Sequence, residues 1–302
     1  MTHFSVRTLT LNPSIDVSSE AEKVEPERKV RTCRERIDPG GGGINVARVL
    51  QRFGVSVEAV FLAGGATGKA FDAMLEREGL TRRPVWIADD TRTSLTIHEH
   101  STHREYRFVP EGPTVSPEEL RACIEATAES NCDYFVASGS LPPCVPDSFY
   151  ATVGAQVRSQ GAKLVLDTSG GELKEAIVAG GIYLLKASKE EIDPAAARSI
   201  VDSGHAKLVA VTLGADGAML VDSGGAHLLP SLEVDTVSTV GAGDSFLAGM
   251  TAGLAMRLDP SQAFRVAVAA GAAATLSEGT DLAYPKDVER LLEQVPEPQL
   301  VA

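Results

Sequence analysis

The 302-residue chain has few aromatic residues, 5% in all with a single tryptophan, while alanine, glycine and valine are abundant. That balance disfavours an all-β sandwich and favours a layered α/β body. No run of about 18 apolar residues is present, so no segment is expected to span a membrane. The opening MTHFSVRTLTLN has no long apolar stretch, so no secretory signal is read there. Positive charge is in deficit, with 28 Lys and Arg against 41 Asp and Glu and a net charge of −13. Such acidity argues against nucleic acid or an anionic membrane as partner, since both are polyanions. A phosphorylated small molecule stays open, because it needs only a local cluster of donors. The four cysteines (Cys33, Cys123, Cys132, Cys144) show no metal-type spacing and read as reduced thiols of a cytoplasmic protein. Repeats, linkers and low-complexity tails are missing too.

Short apolar runs alternate with helical segments. Val6–Leu11, Val57–Ala63, Tyr134–Ser138, Lys163–Asp167, Tyr183–Lys186 and Leu208–Thr212 read as strands buried on both faces. Ile44–Phe53 and Gly68–Glu78 read as helices, each followed by a glycine suited to a left-handed cap. Ser116-Pro117-Glu118-Glu119 has the form of a capping box with proline at the first helical position. This strand–helix–strand rhythm predicts a doubly wound, mostly parallel sheet. Two stretches break it. Residues 17–37 are highly charged, and Thr91–His98 with Glu105–Val109 alternates like a hairpin. Both are expected in a small antiparallel flap with one exposed face, suited to a lid or a dimer contact.

Three glycine-rich clusters carry candidate chemistry. Pro39-Gly40-Gly41-Gly42-Gly43-Ile44-Asn45 runs straight into a helix, where glycines admit a close ligand and free N–H groups face it. It is not a dinucleotide fingerprint, because Asn45 stands where glycine is needed, nor a Walker A loop, which needs Lys-Ser/Thr. Gly64-Gly65-Ala66-Thr67-Gly68-Lys69-Ala70 is one residue short of Walker A and ends in alanine. Ser238-Thr239-Val240-Gly241-Ala242-Gly243-Asp244-Ser245 precedes another helix and presents an anion nest with a carboxylate just inside it. Two roles are open to Asp244: complementing the helix dipole, or taking a hydroxyl proton during phosphoryl transfer. Leu208–Thr212 followed by Gly214 and Gly217 ends in a turn of the kind that borders ligands at strand C-termini.

These clusters, together with Thr8-Leu-Thr-Leu-Asn-Pro-Ser-Ile-Asp16 and Ser138-Gly-Ser-Leu-Pro-Pro143, resemble the PfkB/ribokinase family of carbohydrate kinases along essentially the whole chain. Within it the resemblance is to the phosphosugar branch. It implies an αβα body, taken as one domain over 1–302, with lid segments near 17–37 and 91–109 that often form a homodimer contact. It implies ATP with Mg²⁺ as donor, leaves room for a monovalent cation, and makes Asp244 the general base over the nest Gly241, Ala242 and Gly243. Asp16, Gly41, Gly42 and Asn45 then match positions holding sugar hydroxyls, Lys29 and Arg92 match phosphate contacts, and Ser140 lies in the substrate loop. Thr212, Gly214 and Gly217, with Lys186 and Ser188, match the nucleotide side, and Glu191 the magnesium-organising carboxylate. The chain departs from the pattern at Ser188, where asparagine is usual, in the compressed segment after Glu191, and at Cys144. The expected reaction is phosphorylation of a ketohexose phosphate, fructose 6-phosphate first. Tagatose 6-phosphate and fructose 1-phosphate are the alternatives, and a sugar-phosphate-binding protein without phosphotransfer is the non-enzymatic one.

Overall fold

A computed structural model describes residues 4–128, 131–277 and 279–301. Strand β1 (Phe4–Thr10) leads into β2 (Ser14–Ala21), β3 (Cys33–Gly40), α1 (Gly42–Arg52), β4 (Val57–Gly64), α2 (Gly65–Arg77) and β5 (Arg82–Ile87). The hairpin β6 (Arg92–Glu99) and β7 (Arg104–Phe108) precedes α3 (Pro117–Ala128), β8 (Cys132–Ser138), α4 (Phe149–Ser159) and β9 (Lys163–Asp167). Then come α5 (Gly170–Ala179), β10 (Ile182–Ser188), α6 (Pro194–Asp202), β11 (Ala206–Thr212), β12 (Ala218–Asp222) and β13 (Gly225–Leu229). Helices α7 (Ala242–Ala255), α8 (Pro260–Ala274) and α9 (Pro285–Leu292) and strand β14 (Gln299–Val301) complete it.

Ten strands form the main sheet in the order β14-β13-β12-β11-β10-β9-β8-β1-β4-β5. From β11 to β5 every pairing is parallel, while β12, β13 and β14 extend one edge antiparallel. All eight residues of β4 are buried, as a strand covered on both faces requires. One apolar cluster lies between the sheet and α1, α2, α7, α8 and α9, the other under α3 to α6. The charged pair Arg7 and Glu58 sits inside the sheet, in register on β1 and β4 and 2.5 Å apart, so neither charge is buried alone. The expected capping box is present: Ser116 N donates to Glu119 Oε2 at 2.7 Å and Glu119 N to Ser116 Oγ at 3.3 Å.

The small sheet has the order β3-β2-β6-β7. It corrects the antiparallel expectation, because its central pair, β2 with β6, is parallel. Both strands leave the same edge of the main sheet, one after β1 and the other after β5, so they run the same way. Their return strands β3 and β7 pair antiparallel outside them. Residues 22–32 are not strand at all. Two helices begin earlier than their patterns suggest, α1 at Gly42 and α2 at Gly65, because glycine hides a helical start from a hydrophobic count. The compressed segment after Glu191 folds as α6, capped by the Asp193 side chain accepting from Ala195 N at 2.7 Å.

Strand order reverses at β1, which has β8 on one side and β4 on the other. Ligands of open α/β sheets sit in the crevice beyond the strand C-termini at such a reversal. The ends of β1 and β8, at Thr10 and Ser138, mark that crevice, and the glycine run before α1 closes over it. A Cβ on Gly43 would lie 2.8 Å from the Leu9 carbonyl oxygen, and one on Gly42 would collide with the Ser138 side chain.

Candidate active site

Asp244 occupies the first turn of α7, where the leading N–H groups have no partner within the helix. Gly241 is the N-cap, in the left-handed region at φ 74°, and a Cβ there would meet Leu282 Cδ2 at 2.6 Å. The nest is braced from beneath: Ser238 Oγ donates to Gly279 O at 3.0 Å, and Ala283 N donates to Ser245 Oγ at 3.3 Å. Asn45, one turn into α1, donates through Nδ2 to Asp244 Oδ2 at 2.8 Å. Two helix N-termini 199 residues apart in sequence thus meet at one carboxylate. Burial pushes the Asp244 carboxyl up to about 6 and the charge of Asp167 adds to it, while Asn45 and Lys186 pull it back. A base that is half protonated near pH 6 and ionised at pH 7 suits proton abstraction from a hydroxyl.

The small sheet brings Asp16 to the same place from the other side. Ser14 Oγ donates to Asp16 Oδ1 at 2.5 Å. Burial raises the Asp16 carboxyl above its ordinary range, with Ser14 and Arg92 opposing. Gly40 leaves room for that carboxylate, since a Cβ would overlap it. Gly41, at φ 111° and the N-cap of α1, lies where a Cβ would be 2.9 Å from Thr10 Cγ2. Arg92 donates through Nη1 to Pro110 O and through Nη2 to Asn12 O, both at 2.9 Å. Ser140 follows Gly139, whose carbonyl accepts from Tyr150 Oη at 2.8 Å and Thr168 Oγ1 at 3.2 Å. Asn12 Nδ2 reaches Ser140 Oγ at 3.5 Å. Asp16, Gly41, Gly42, Asn45, Arg92 and Ser140 are therefore gathered around the crevice with Asp244. Lys29 is exposed, on the 22–32 connection between β2 and β3.

At the ends of β9 and β10, Lys186 Nζ contacts both oxygens of Asp167, at 3.1 and 3.2 Å, across the register of the two strands. Burial alone would favour loss of the Lys186 proton, but Asp167 and then Asp244 outweigh it and hold the ammonium above its usual range. Lys186 also approaches the nest, lying 3.2 Å from a Cβ built on Gly243. The exposed Glu191 carboxylate accepts from Ser188 N at 2.7 Å and closes the turn between them. Thr212, Gly214 and Gly217 border a cleft of about 470 Å³ that continues to Ala242 and Gly243 and has Phe246, Val268 and Ala272 for apolar walls. A larger groove, about 690 Å³, lies at the opposite ends of β9, β10 and β11 and is lined by Lys163, Tyr183 and Lys207. It shares no residue with this site.

Two residues of this arrangement, Asn12 and Asp167, carry no local signal in the sequence that marks them out. Asn12 lies within the stretch Thr8 to Asp16, but its partners are 99 and 128 residues away. Asp167 acquires meaning only once β9 pairs with β10 and sets it beside Lys186. The arrangement as a whole offers a half-buried carboxylate, an amide nest, a cation beside two carboxylates, and a cleft with apolar walls.

Comparison with known proteins points the same way. The family model described as pfkB family carbohydrate kinase matches residues 10–287. The chain is 40% identical to the ATP-dependent 6-phosphofructokinase isozyme 2 of Mycobacterium tuberculosis, over 96% of its own length and 90% of that protein. It is 31% identical to the 1-phosphofructokinase of Bacillus subtilis, over 96% of this chain and 98% of that one. The crystal structure of phosphofructokinase-2 from Escherichia coli in complex with fructose-6-phosphate superposes with a TM-score of 0.90 at 36% identity, covering 97% of this chain and 99% of that chain.

Proposed function

The chain belongs to the pfkB family of carbohydrate kinases, and from that premise we propose that it transfers the γ-phosphoryl group of ATP to the C1 hydroxyl of fructose 6-phosphate. The observation that carries this reading is Asp244: a carboxylate lifted to about 6, fixed by Asn45, at the mouth of an amide nest that opens onto the cleft. In the proposed step the sugar oxygen attacks the γ-phosphorus as its proton passes to Asp244. The bond from that phosphorus to the bridging oxygen breaks, and ADP leaves. Amides of Gly241, Ala242 and Gly243 offset charge on the transferring oxygens, and Lys186 adds a cation beside them. Asp16 and Asn45 orient the sugar, Arg92 and Ser140 hold its phosphate end, and Thr212, Gly214 and Gly217 border the adenine nucleotide.

Among the described residues no three His, Cys, Asp or Glu side chains converge as a metal cage. Magnesium keeps several waters and uses one or two carboxylates plus substrate phosphates, so it needs no such cage. Glu191 would hold it, directly or through water, and the ion would neutralise charge between the β- and γ-phosphates. The small sheet, in this reading, is a lid over the acceptor and the contact surface of a homodimer.

The 31% identity to a 1-phosphofructokinase keeps fructose 1-phosphate as a second acceptor to weigh. An ADP-release assay over fructose 6-phosphate, tagatose 6-phosphate, fructose 1-phosphate and the unphosphorylated sugars tests both, with Asp244→Asn as control. Fastest turnover of fructose 6-phosphate, abolished in the variant, is expected. Equal release by the two proteins would remove Asp244 from the reaction.

A further inference from the structure

The phosphate end of the acceptor site is assembled from three chain segments that have no covalent reason to stay together. One is the turn after β1 at Asn12. Another is the segment returning from the small sheet, Pro110 to Gly112. The third is the loop after β8 at Ser140. Arg92 spans the first two, spending one Nη on the Asn12 carbonyl and the other on that of Pro110, each at 2.9 Å. A guanidinium fork is rigid, so those two carbonyls must keep a fixed spacing. The Asn12 side chain supplies it. Its Nδ2 donates to Glu111 O at 2.8 Å and reaches Ser140 Oγ at 3.5 Å, tying the first segment to both others. Asn12 is only 3% exposed, so water does not loosen these bonds. The returning segment is shaped to admit it: Gly112 has φ 112°, and a Cβ there would sit 2.8 Å from Asn12 Cγ. Two atoms at this joint, Asn12 Oδ1 and Arg92 Nε, are buried with no hydrogen-bond partner among the described residues. A buried donor left unpaired in this way costs free energy, which a ligand or ordered water reaching it would recover.

We propose that Asn12 is a positioning residue for the phosphorylated acceptor. It acts through Arg92 and Ser140 and sets affinity for the sugar phosphate while leaving the phosphoryl-transfer step and the nucleotide cleft alone. The proposal rests on the acceptor reading given above, and its signature separates it from a merely structural role. Asn12→Ala is expected to raise KM for fructose 6-phosphate about 10-fold or more, with kcat within about 3-fold and KM for ATP unchanged, the pattern of lost uniform binding. Gly112→Ala reaches the same joint from the opposite side and should give the same split.

The measurement is steady-state ADP release by the full chain, each substrate varied in turn, with thermal unfolding of each variant alongside. Parallel rises in both KM values, a fall confined to kcat, or no change would overturn the proposal. Failure of both variants to fold would also overturn it, by making the joint purely structural. If the unaltered protein turns over no ketohexose phosphate, the functional reading falls separately. Calorimetry with fructose 6-phosphate then decides the joint: binding by the unaltered protein that Asn12→Ala weakens at least about 10-fold supports it, and equal or absent binding ends it.

Discussion

At the scale of single residues, the half-raised carboxyl of Asp244 makes opposed demands on activity and stability. Its folded value of about 6 stands above the 3.8 of an exposed aspartate. In the proposed role of base it must be ionised, so kcat/KM should fall about tenfold per pH unit below pH 6, and a pH–rate profile reads this directly. For stability the sign is reversed. A raised carboxyl favours the folded state while protonated, and that advantage is lost as pH rises from about 4 through 6. Above pH 6 the buried charge is a standing cost, which Asp244→Asn removes. The variant should be about 1–3 kcal/mol more stable than the parent at pH 8, the lower part of the range reflecting water that still reaches the site. The difference should close near pH 4, and kcat should drop by about 10³. Chemical unfolding at the two pH values checks it; a variant less stable at pH 8 would show the charge to be well satisfied. Lys186 gives a companion test. Its ammonium lowers the Asp244 value, so Lys186→Met should move the acid limb of the profile above pH 6.

At the scale of elements, the site depends on where α7 points its N-terminus, and that is set by a seam of small residues along α8. A Cβ on Gly249 would lie 2.8 Å from Ala270 Cβ and 2.9 Å from the Val266 carbonyl, and one on Gly253 would lie 2.8 Å from Ala263 Cβ. The helices can approach this closely only without side chains there. Gly249→Val should therefore cost about 1–3 kcal/mol in chemical unfolding through overpacking, and lower kcat as the nest shifts from Asn45. Unchanged stability and kcat would mean the seam has slack. Local signals of this kind were open to a reading of the sequence. The run Gly241 to Asp244 before an apolar helix, and Ser116 with Glu119, are decided within a few residues. The partners of Lys186, Asn12 and Arg92 were not, because each lies across strand pairings or loop closures spanning 18 to 128 residues. The same reason hid β12 to β14 and the parallel register of β2 with β6, which depends on where two strands leave the body rather than on their own pattern.

At the scale of the whole molecule, the small sheet has two unlike faces, and the difference argues for a second copy of the chain. The strand register sets Val17 beside Ile37 and Leu95, and Leu95 beside Phe108, so four apolar side chains cross the sheet in one row. Alternation puts that row on the face opposite Asp16, whose own row contains Asp38 and Ser94. Ile37 is 51% and Phe108 56% exposed, at the two outer strands, in a sheet too small to leave such a face open without cost. A two-fold axis through this row would bury the same patch on both copies at once, as a self-complementary dimer contact requires. It would also hold down strands that carry Asp16 and Arg92, so assembly and acceptor binding should be coupled. Phe108→Asp with Ile37→Asp is expected to sediment as a monomer at concentrations where the parent sediments as a dimer. Its KM for the sugar phosphate should be several-fold higher, with KM for ATP little changed. A parent already monomeric at micromolar concentration, or a doubly substituted dimer, would show that the apolar row has another use.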